Sequence, residues 1–348
     1  MVNMNIYIRS VGNISPQHSL DRDGFFLNRI STSKNYFKVL EPDYDAFVDS
    51  KMIRRMSRMV KMGVAAAMTC LQNAGIEKPA AILTATAYGC LEDTSSFLRR
   101  MIEFEEKMLS PTAFIQSTHN TVGAQIALLI KCHQYNNTIV HRAFSLENAL
   151  TEASLLITEG RAPVLVGAID ECTEDRHTIL SRFGLYKTSI KDHGVFSGNI
   201  AGEGAAFFLL DKEPGKDPLA LIRGLQTMYK PRDKEAVGFF LLDFLERNGI
   251  TKDDVDVILG SETGNAERDE TDQYLLDSLF PGKPSFPFKS LCGDYPTASG
   301  FALWLAAYLL KEQKQPVWMK GLHFPLNKIL IHHRSGKIHH SAYLISRC

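Results

Sequence analysis

The sequence IVHRAFSLENALTEASLLITEGRAPVLVGAIDE, residues 139–171, is the most informative stretch about the fold. Its pattern predicts a strand, a tight corner, a helix and a second strand. Corners that lead from a strand into a helix often present a nucleophile, because the free amides and the dipole of the helix N-terminus favour negative charge. Here the corner contains no cysteine and reads His141, Arg142, Ala143, Phe144, Ser145.

The composition is that of an ordinary globular protein, with 348 residues of which 45% are hydrophobic and 22% charged. Basic and acidic residues number 39 each, so no net field attracts nucleic acid or an anionic membrane. The six cysteines are scattered without a CxxC pair, which argues against a disulfide framework and a zinc knuckle. The N-terminus lacks the apolar core of a signal peptide, and the longest apolar run, residues 301–310, is too short to span a bilayer. We therefore expect a cytoplasmic protein without a membrane span, a metal or another cofactor.

Strand and helix patterns alternate along the chain in two successive halves, which predicts a layered α/β protein with mostly buried sheets. The halves meet in a polar, proline- and glycine-rich stretch at residues 211–218, so we place the division between residues 1–212 and 213–348. Helices are predicted over residues 49–76, where the small residues GVAAAM permit close packing, and over the apolar run 301–310.

Five segments, taken in order, resemble the β-ketoacyl-acyl-carrier-protein synthases. They are KMIRRMSRMVKMGVAAAMTCLQNAGI (51–76), LSPTAFIQSTHNTVGAQIAL (109–128), TEASLLITEGRAPVLVGAIDE (151–171), FSGNIAGEGAAFFLL (196–210) and KSLCGDYPTASG (289–300). The resemblance implies an α/β, thiolase-like fold, in which two similar halves form five layers (α-β-α-β-α). It also implies a homodimer or a heterodimer.

The chemistry of that family needs a cysteine at a helix N-terminus, two histidines that stabilise an enolate, and a lysine. Counted back from the glycine that ends the helix, the cysteine position falls on Ala143. The two histidine positions fall on Ser261, in GSETGNAERDETD (260–272), and on Asp294, in KSLCGD. Only the lysine is retained, as Lys289.

None of the three replacements suits the family chemistry. The methyl group of Ala143 cannot be acylated, and the hydroxyl of Ser261 stabilises an enolate less well than an imidazole does. The carboxylate of Asp294 repels both a malonyl carboxylate and a developing enolate. An ion pair between Lys289 and Asp294 that fills the old site is a hypothesis about packing. We therefore expect no catalytic residue among these four.

Ser145 is the residue at the corner that could be taken for a replacement nucleophile. No paired base is visible near it, so the favoured interpretation is a helix N-cap whose hydroxyl accepts a hydrogen bond from an amide ahead. Phe144, Ser145, Glu262 and Thr263 are candidates for the lining of a substrate pocket, and Phe144 is a candidate to block an acyl tunnel.

Histidines elsewhere in the chain favour structural interpretations. His119, His141 and Arg142 fall in regions that lie at the dimer interface in the family, so they are interface candidates. The C-terminal stretch HHRSGKIHH (332–340) carries four histidines, but neighbours on a strand point to opposite faces. A solvated hairpin or a partner surface is favoured there over a metal site.

The resemblance and the three replacements together predict a non-condensing ketosynthase homologue. Such proteins resemble the chain length factors of polyketide and aryl-polyene biosynthesis, which pair with an active ketosynthase and shape the tunnel for a chain carried by acyl carrier protein. A subtype that keeps only the histidines is excluded by Ser261 and Asp294. Two alternatives stay open: an acyltransferase or hydrolase that uses Ser145, Asp294 or Glu262 in the same pocket, and a stand-alone acyl-binding homodimer.

Overall fold

The computed structural model describes residues 2–32, 35–107, 109–187, 199–263 and 269–348. Residues 196–198 of the glycine-rich segment and residues 264–268 of the segment around Ser261 lie outside the described residues. The strands are β1 (Val2–Ile14), β2 (Ala81–Thr86), β3 (Tyr135–Val140), β4 (Val164–Asp170), β5 (Gly204–Asp211), β6 (Ala220–Tyr229), β7 (Val257–Gly260), β8 (Ser285–Pro287), β9 (Lys328–Ser335) and β10 (His339–Ser346).

The helices of the first half are α1 (Arg22–Leu27), α2 (Ser50–Ile53), α3 (Arg58–Ala74), α4 (Leu91–Glu103), α5 (Pro111–Gln116), α6 (Thr121–Leu129), α7 (Ser145–Thr158) and α8 (Glu174–Arg182). Those of the second half are α9 (Lys234–Arg247), α10 (Glu270–Tyr274), α11 (Lys289–Cys292) and α12 (Ser299–Glu312). Short 3-10 turns occupy Tyr44–Ala46, Arg142–Phe144 and Lys252–Asp254, and one π-helical turn, Leu275–Leu279, continues α10.

The strand order of the sheet repeats itself in mirror image. It reads β3-β2-β4-β5-β1 and then β6-β10-β9-β7-β8, so each half contributes five strands in the same internal order. In both halves the outer three strands are parallel and the next two pairings are antiparallel. The halves join where β1 pairs with β6. The division predicted at residues 212 and 213 falls between β5 and β6 and stays a prediction.

Two helices form the layer between the halves. Helix α7 contacts β2, β3 and β4 on one side and β6 on the other, while α12 contacts β5 and β9. The predicted buried helix is confirmed, because the apolar side chains of α12 are all buried. Since a helix that is apolar all round has no face to offer water, it lies in the interior. The largest hydrophobic cluster surrounds these two helices.

The outer layers are α3 and α6 against the first half of the sheet and α9 against the second half. The predicted close packing of α3 is confirmed at Gly12 of β1, where an added Cβ would lie 2.0 Å from the carbonyl oxygen of Ala66. The helix predicted over residues 49–76 is interrupted, because α2 ends at Ile53 and the backbone of Ser57 is extended before α3 begins. None of the helices in the described ranges is both long and apolar enough to cross a membrane.

Candidate functional site

The corner between β3 and α7 is a tight turn with one residue in the left-handed region. Arg142 has φ +49° and begins the 3-10 turn, which is closed by a hydrogen bond from the amide of Phe144 to the carbonyl of His141 (3.0 Å). Non-glycine residues rarely adopt this conformation, and they do so mostly at turns and functional sites. Ala143 follows, 3% exposed, directly ahead of the first turn of α7.

Ser145 ties this corner to the neighbouring strand. Its buried hydroxyl accepts a hydrogen bond from the amide of His141 (2.8 Å) and lies 2.9 Å from the carbonyl of Thr86 and 2.8 Å from that of Arg142. The prediction that Ser145 is an N-cap is therefore wrong. Ser145 is the first residue of the helix, and its hydroxyl bonds to backbone groups that precede it in sequence rather than to an amide ahead. The hydrogen bonds of this hydroxyl go to backbone groups, and no acid or base among the described residues is bonded to it.

Ser261 has the same structural character at the end of β7. Its hydroxyl is fully buried, donates to the carbonyl of His332 (3.0 Å) and accepts from the amide of Arg334 (2.8 Å). These bonds join the end of β7 to β9 at the residue to which the resemblance assigns the first histidine of the family. The hydroxyl is thus already paired on both its donor and its acceptor side.

Lys289 and Asp294 form the ion pair that the sequence suggested. Lys289 Nζ lies 2.7 Å from Asp294 Oδ1 and also donates to the carbonyl of Arg334 (2.5 Å). Asp294 accepts a second hydrogen bond from Asn199 Nδ2 (2.6 Å). Burial by itself raises the pKa of Asp294, but the charge and the hydrogen bond of Lys289 lower it to about 2. The carboxylate is therefore ionised at neutral pH.

Two glycines bring the glycine-rich segment against the segment that carries this ion pair. A Cβ on Gly202 would lie 2.0 Å from the carbonyl oxygen of Cys292, and one on Gly293, which has φ +80°, would lie 2.6 Å from Gly202 Cα. The amide of Asp294 donates to the carbonyl of Ile200 (2.8 Å) across this crossing. Only glycine permits so close a backbone approach, which explains physically why these residues occur in both segments.

Glu203 connects three further parts of the chain and was not singled out from the sequence. Its buried carboxylate accepts two hydrogen bonds from Arg58 (2.5 and 2.9 Å) and one from each of the amides of Val39 (3.1 Å) and Cys172 (2.9 Å). The acidic residue between two glycines was the signal that could have identified it. Its partners make it a structural group.

A cavity of about 740 Å³ brings the predicted nucleophile position and one histidine position together. Ala143 and Arg142 line it on one side, and Asp294 and Asn199 line it on another. Phe144 does not line it, because its ring packs between those of His141 (5.8 Å) and His339 (4.9 Å). The structure thus leaves the space beside Ala143 open.

The remaining pocket candidates lie elsewhere. Thr263 lines a neighbouring cavity of about 230 Å³ with Lys289 and Asp294, and its amide and hydroxyl are bonded to Asp269. Glu262 lines a separate void of about 10 Å³, the space of one water molecule. Burial and the neighbouring charge of Asp272 raise the pKa of Glu262 to about 7. Ser261 and Ser145 line none of these three spaces.

The prediction that the C-terminal histidines lie on a solvated hairpin is wrong. Strands β9 and β10 do form a hairpin, but His332, His333 and His340 are at most 2% exposed. The predicted opposite orientation of neighbours is confirmed: His332 Nε2 lies 3.1 Å from His340 Nδ1, whereas His333 lies 3.6 Å from the carboxylate of Glu147. Burial lowers the pKa of His340 to about 3, so this ring is neutral. Among the described residues no three acidic, histidine or cysteine side chains converge as a metal site does.

Glu147, on α7, is a second buried carboxylate that was not singled out from the sequence. It accepts hydrogen bonds from Tyr343 (2.7 Å) and Ser341 (2.8 Å) on β10. Burial raises its pKa, but the contacts with His333 and Tyr343 outweigh burial and hold the pKa below its usual range. An acidic residue directly after Leu146, on the apolar side of the helix, was the available signal. The cluster fastens the middle layer to the second half of the sheet.

The interface candidates lie near the exposed edge of the first half. His119 is exposed in the loop before α6 and packs over Gly89, where an added Cβ would lie 2.9 Å from its ring. His141 and Arg142 are exposed and lie in the corner that follows β3, which ends at Val140. Their role at an interface stays a prediction.

Comparisons with known proteins agree with this architecture. The family described as "Beta-ketoacyl synthase, N-terminal domain" matches residues 34–182. A comparison with the curated proteins gives no significant match. Among solved structures, the ishigamide ketosynthase/chain length factor is similar with a TM-score of 0.80 at 14% identity, with all of both chains covered.

Two other solved structures are similar over nearly the whole chain. A β-ketoacyl synthase from Burkholderia phymatum STM815 has a TM-score of 0.79 at 13% identity, covering 99% of this chain and all of that one. A ketosynthase in complex with its chain length factor from Xenorhabdus doucetiae has a TM-score of 0.72 at 15% identity, covering 99% and 98%. Residues 34–182 thus match the model of the N-terminal domain of the β-ketoacyl synthases, and the chain has an α/β, thiolase-like fold over its whole length.

Proposed function

We propose that this protein is a ketosynthase homologue that does not condense acyl chains and that acts as a chain-length-factor-like partner of an active β-ketoacyl-acyl-carrier-protein synthase. One observation carries the proposal. The helix N-terminus to which the resemblance assigns the family nucleophile adjoins an open cavity of about 740 Å³, and the side chain assigned to that position is the methyl group of Ala143. A methyl group offers no atom that can attack a thioester.

The opposite wall of the cavity supports the same conclusion. Asp294 is ionised and held by Lys289 and Asn199, so it presents a negative charge where the family presents an imidazole. Decarboxylation of a malonyl group builds up negative charge, which needs donors or cations rather than a carboxylate. Ser261 is bonded to backbone groups of β9 and lies outside the cavity.

The partner we propose is a ketosynthase subunit, docked along β3. This strand is at the edge of the sheet and, among the strands that the structure describes, pairs with β2 alone, so its outer backbone groups can accept another strand. The helices that flank it expose Leu128 of α6 (66%) and Leu155 of α7 (58%), and Val140 at the strand end is 44% exposed. The similar structure from Xenorhabdus doucetiae is a complex of a ketosynthase with its chain length factor, which supports a heterodimer over a homodimer.

Acyl carrier protein is the second partner we propose, since another similar structure holds a type II polyketide acyl-carrier protein with its ketosynthase (TM-score 0.75, 17% identity, 99% of both chains covered). The products of aryl-polyene or polyketide type and the cytoplasmic location belong to this proposal as well. The alternative, an acyltransferase or hydrolase based on Ser145, is disfavoured by the backbone partners of its hydroxyl and by the place of Glu262 in a separate void.

Two measurements test the proposal. The purified protein is incubated with acyl- and malonyl-loaded carrier proteins, and mass spectrometry and carbon dioxide release are followed. We expect neither an acyl adduct nor decarboxylation; an adduct that disappears in Ser145→Ala would establish the alternative instead.

Co-purification with a cysteine-containing ketosynthase from the same genome tests the partner. Leu128→Asp places a charge on the proposed face and should abolish the complex, whereas Phe239→Asp changes a side chain of α9 that is similarly exposed (73%) and should leave it intact. Equal complex formation by both variants, or a homodimer as the sole species, would contradict the proposed docking face.

A further inference from the structure

The described residues that line the cavity beside Ala143 carry more positive than negative charge. Among the described residues, its wall holds one carboxylate, that of Asp294, and four cationic side chains: Arg142, Arg176, Arg334 and Lys337. Buried or half-buried cations are normally paired, so the partner of each one is informative.

Two of these charged side chains form ion pairs within the protein. Arg334 is almost fully buried and pairs with Asp272 (2.7 Å) and Asp269 (3.0 Å). Asp294 pairs with Lys289 at 2.7 Å. Neither is therefore available to neutralise a further charge on the wall.

Arg176, on α8, has no such partner. Its guanidinium lies over the rings of Tyr88 (4.8 Å) and Tyr186 (5.6 Å), and no carboxylate of the described residues forms an ion pair with it. The aromatic rings hold the cation at the wall without cancelling its charge. Arg142, in its left-handed conformation beside Ala143, likewise makes no ion pair with a described residue.

Asp170 is a carboxylate that acts on Arg176 electrostatically, but it is committed elsewhere. Its Oδ1 accepts hydrogen bonds from the Thr86 hydroxyl (3.0 Å) and the Ala87 amide (2.9 Å), and its Oδ2 accepts two from Thr297 (2.8 and 3.2 Å). A half-buried arginine beside a carboxylate whose oxygens are already hydrogen-bonded retains its capacity to bind an external anion.

Apolar side chains line the same cavity. Phe183 (75% exposed), Leu185 (42%) and Ile338 (37%) leave large hydrophobic surfaces uncovered there, and Leu180 adjoins them. A volume of about 740 Å³ lies within the range of small-molecule sites. The wall thus combines an apolar part with two arginines that form no ion pair within the described part of the chain.

We propose that this cavity binds an amphiphilic carboxylate, whose charged end pairs with Arg176 and Arg142 and whose apolar part contacts Phe183, Leu185 and Ile338. A planar guanidinium matches a carboxylate in a bidentate manner. The fixed charge of Asp294 on the same wall disfavours a phosphate dianion more than a carboxylate monoanion. This inference adds a ligand class to the proposed function. It rests on one premise of that function, namely that the cavity holds a ligand without forming a covalent bond to it.

Isothermal titration calorimetry with octanoate and its neutral analogue octanamide tests the inference on the purified chain alone. We expect octanoate to bind at least tenfold more tightly than octanamide. In Arg176→Gln the affinity for octanoate should fall to that for octanamide, which itself should not change. Arg142→Gln, at an exposed position that does not depend on packing, should lower octanoate affinity severalfold, and Arg232→Gln, which removes an equally positive charge from a 92% exposed side chain, should have no effect.

Equal binding of the two ligands, or octanoate affinity that is unchanged in both cavity variants, would overturn the inference. So would phosphopantetheine binding that depends on Arg176 while octanoate binding does not, because the cations would then serve the prosthetic group of the carrier. A covalent acyl adduct would refute the proposed function but would leave the difference between octanoate and octanamide to be judged separately.

Discussion

Lys289 Nζ and Asp294 Oδ1 lie 2.7 Å apart; Asp294 lines both the cavity of about 740 Å³ and the cavity of about 230 Å³, whereas Lys289 lines only the smaller one. The lysine side chain is 3% exposed and the aspartate side chain 16% exposed. The two residues to which the resemblance assigns a catalytic lysine and a catalytic histidine thus form a buried ion pair.

Asp294→Asn removes the carboxylate and leaves a buried ammonium group without a counter-charge. We expect a loss of about 3 kcal/mol in the free energy of unfolding, because breaking a buried pair by removing one partner is costly. Urea denaturation at pH 7 measures it. The double variant Lys289→Met with Asp294→Asn removes both charges and should recover most of the loss; a double variant as unstable as the single one would contradict this account.

Glu262→Gln should stabilise the protein at alkaline pH. The folded-state pKa of about 7 lies above the usual 4.5, so the folded carboxyl stays protonated where the unfolded one is ionised. The stabilisation that the folded state gains from the protonated carboxyl is fully present below pH 4.5. It is lost as the pH rises to 7, so the free energy of unfolding falls by up to about 3 kcal/mol. The free energy of unfolding of the variant should match that of the native protein near pH 4.5 and exceed it at pH 8. A difference that does not vary with pH would show that Glu262 does not titrate in this range.

Ala143→Cys tests whether the corner still presents a side chain to the cavity. In a Cys348→Ser background the other cysteines are buried, and burial raises the pKa of Cys70 to about 12. A thiol at the N-terminus of α7 should instead have a lowered pKa and react with iodoacetamide at neutral pH. Intact-mass analysis should find one adduct, whereas Ala149→Cys, inside the same helix, should give none within the same time. Equal labelling of Ala143→Cys and Ala149→Cys would mean that the corner does not present its side chain to the cavity.

Gly202→Ala should disrupt the close backbone approach between the glycine-rich segment and the segment that carries Asp294. Its Cβ would lie 2.0 Å from the backbone oxygen of Cys292, which cannot move independently of the chain, so we expect a loss of about 3 kcal/mol in stability. Gly160→Ala is the matched comparison, since Gly160 has φ +83° but open space around its Cα, and strain alone should cost about 1 kcal/mol. Thermal denaturation compares the two; similar losses would argue against the close approach as the cause.

Most of the fold could be predicted from the sequence because its signals are local. Small residues in α3 and apolar residues throughout α12 indicated close packing and burial, and both are present. The break between α2 and α3 was not predicted, since a serine that is compatible with a helix interior adopts an extended backbone there.

The candidate site was predicted in part. Motif spacing placed Ala143 and Asp294 at family positions, and the structure brings them to one cavity. The partners of the polar groups were not predictable. Ser145 bonds to the carbonyl of Thr86, which is 59 residues away in sequence, and Glu147 bonds to Tyr343, which is 196 residues away.

Residue identity and spacing along the chain were enough to predict the alternation of strands and helices and the α/β, thiolase-like fold. Three other features emerged only from the folded chain: the C-terminal histidines are buried, Phe144 leaves the cavity open, and Arg176 lacks an ion pair with any described carboxylate. The reason is that burial and the pairing of charges arise where distant segments meet, and histidine and arginine side chains are stable both in water and in an interior that supplies partners.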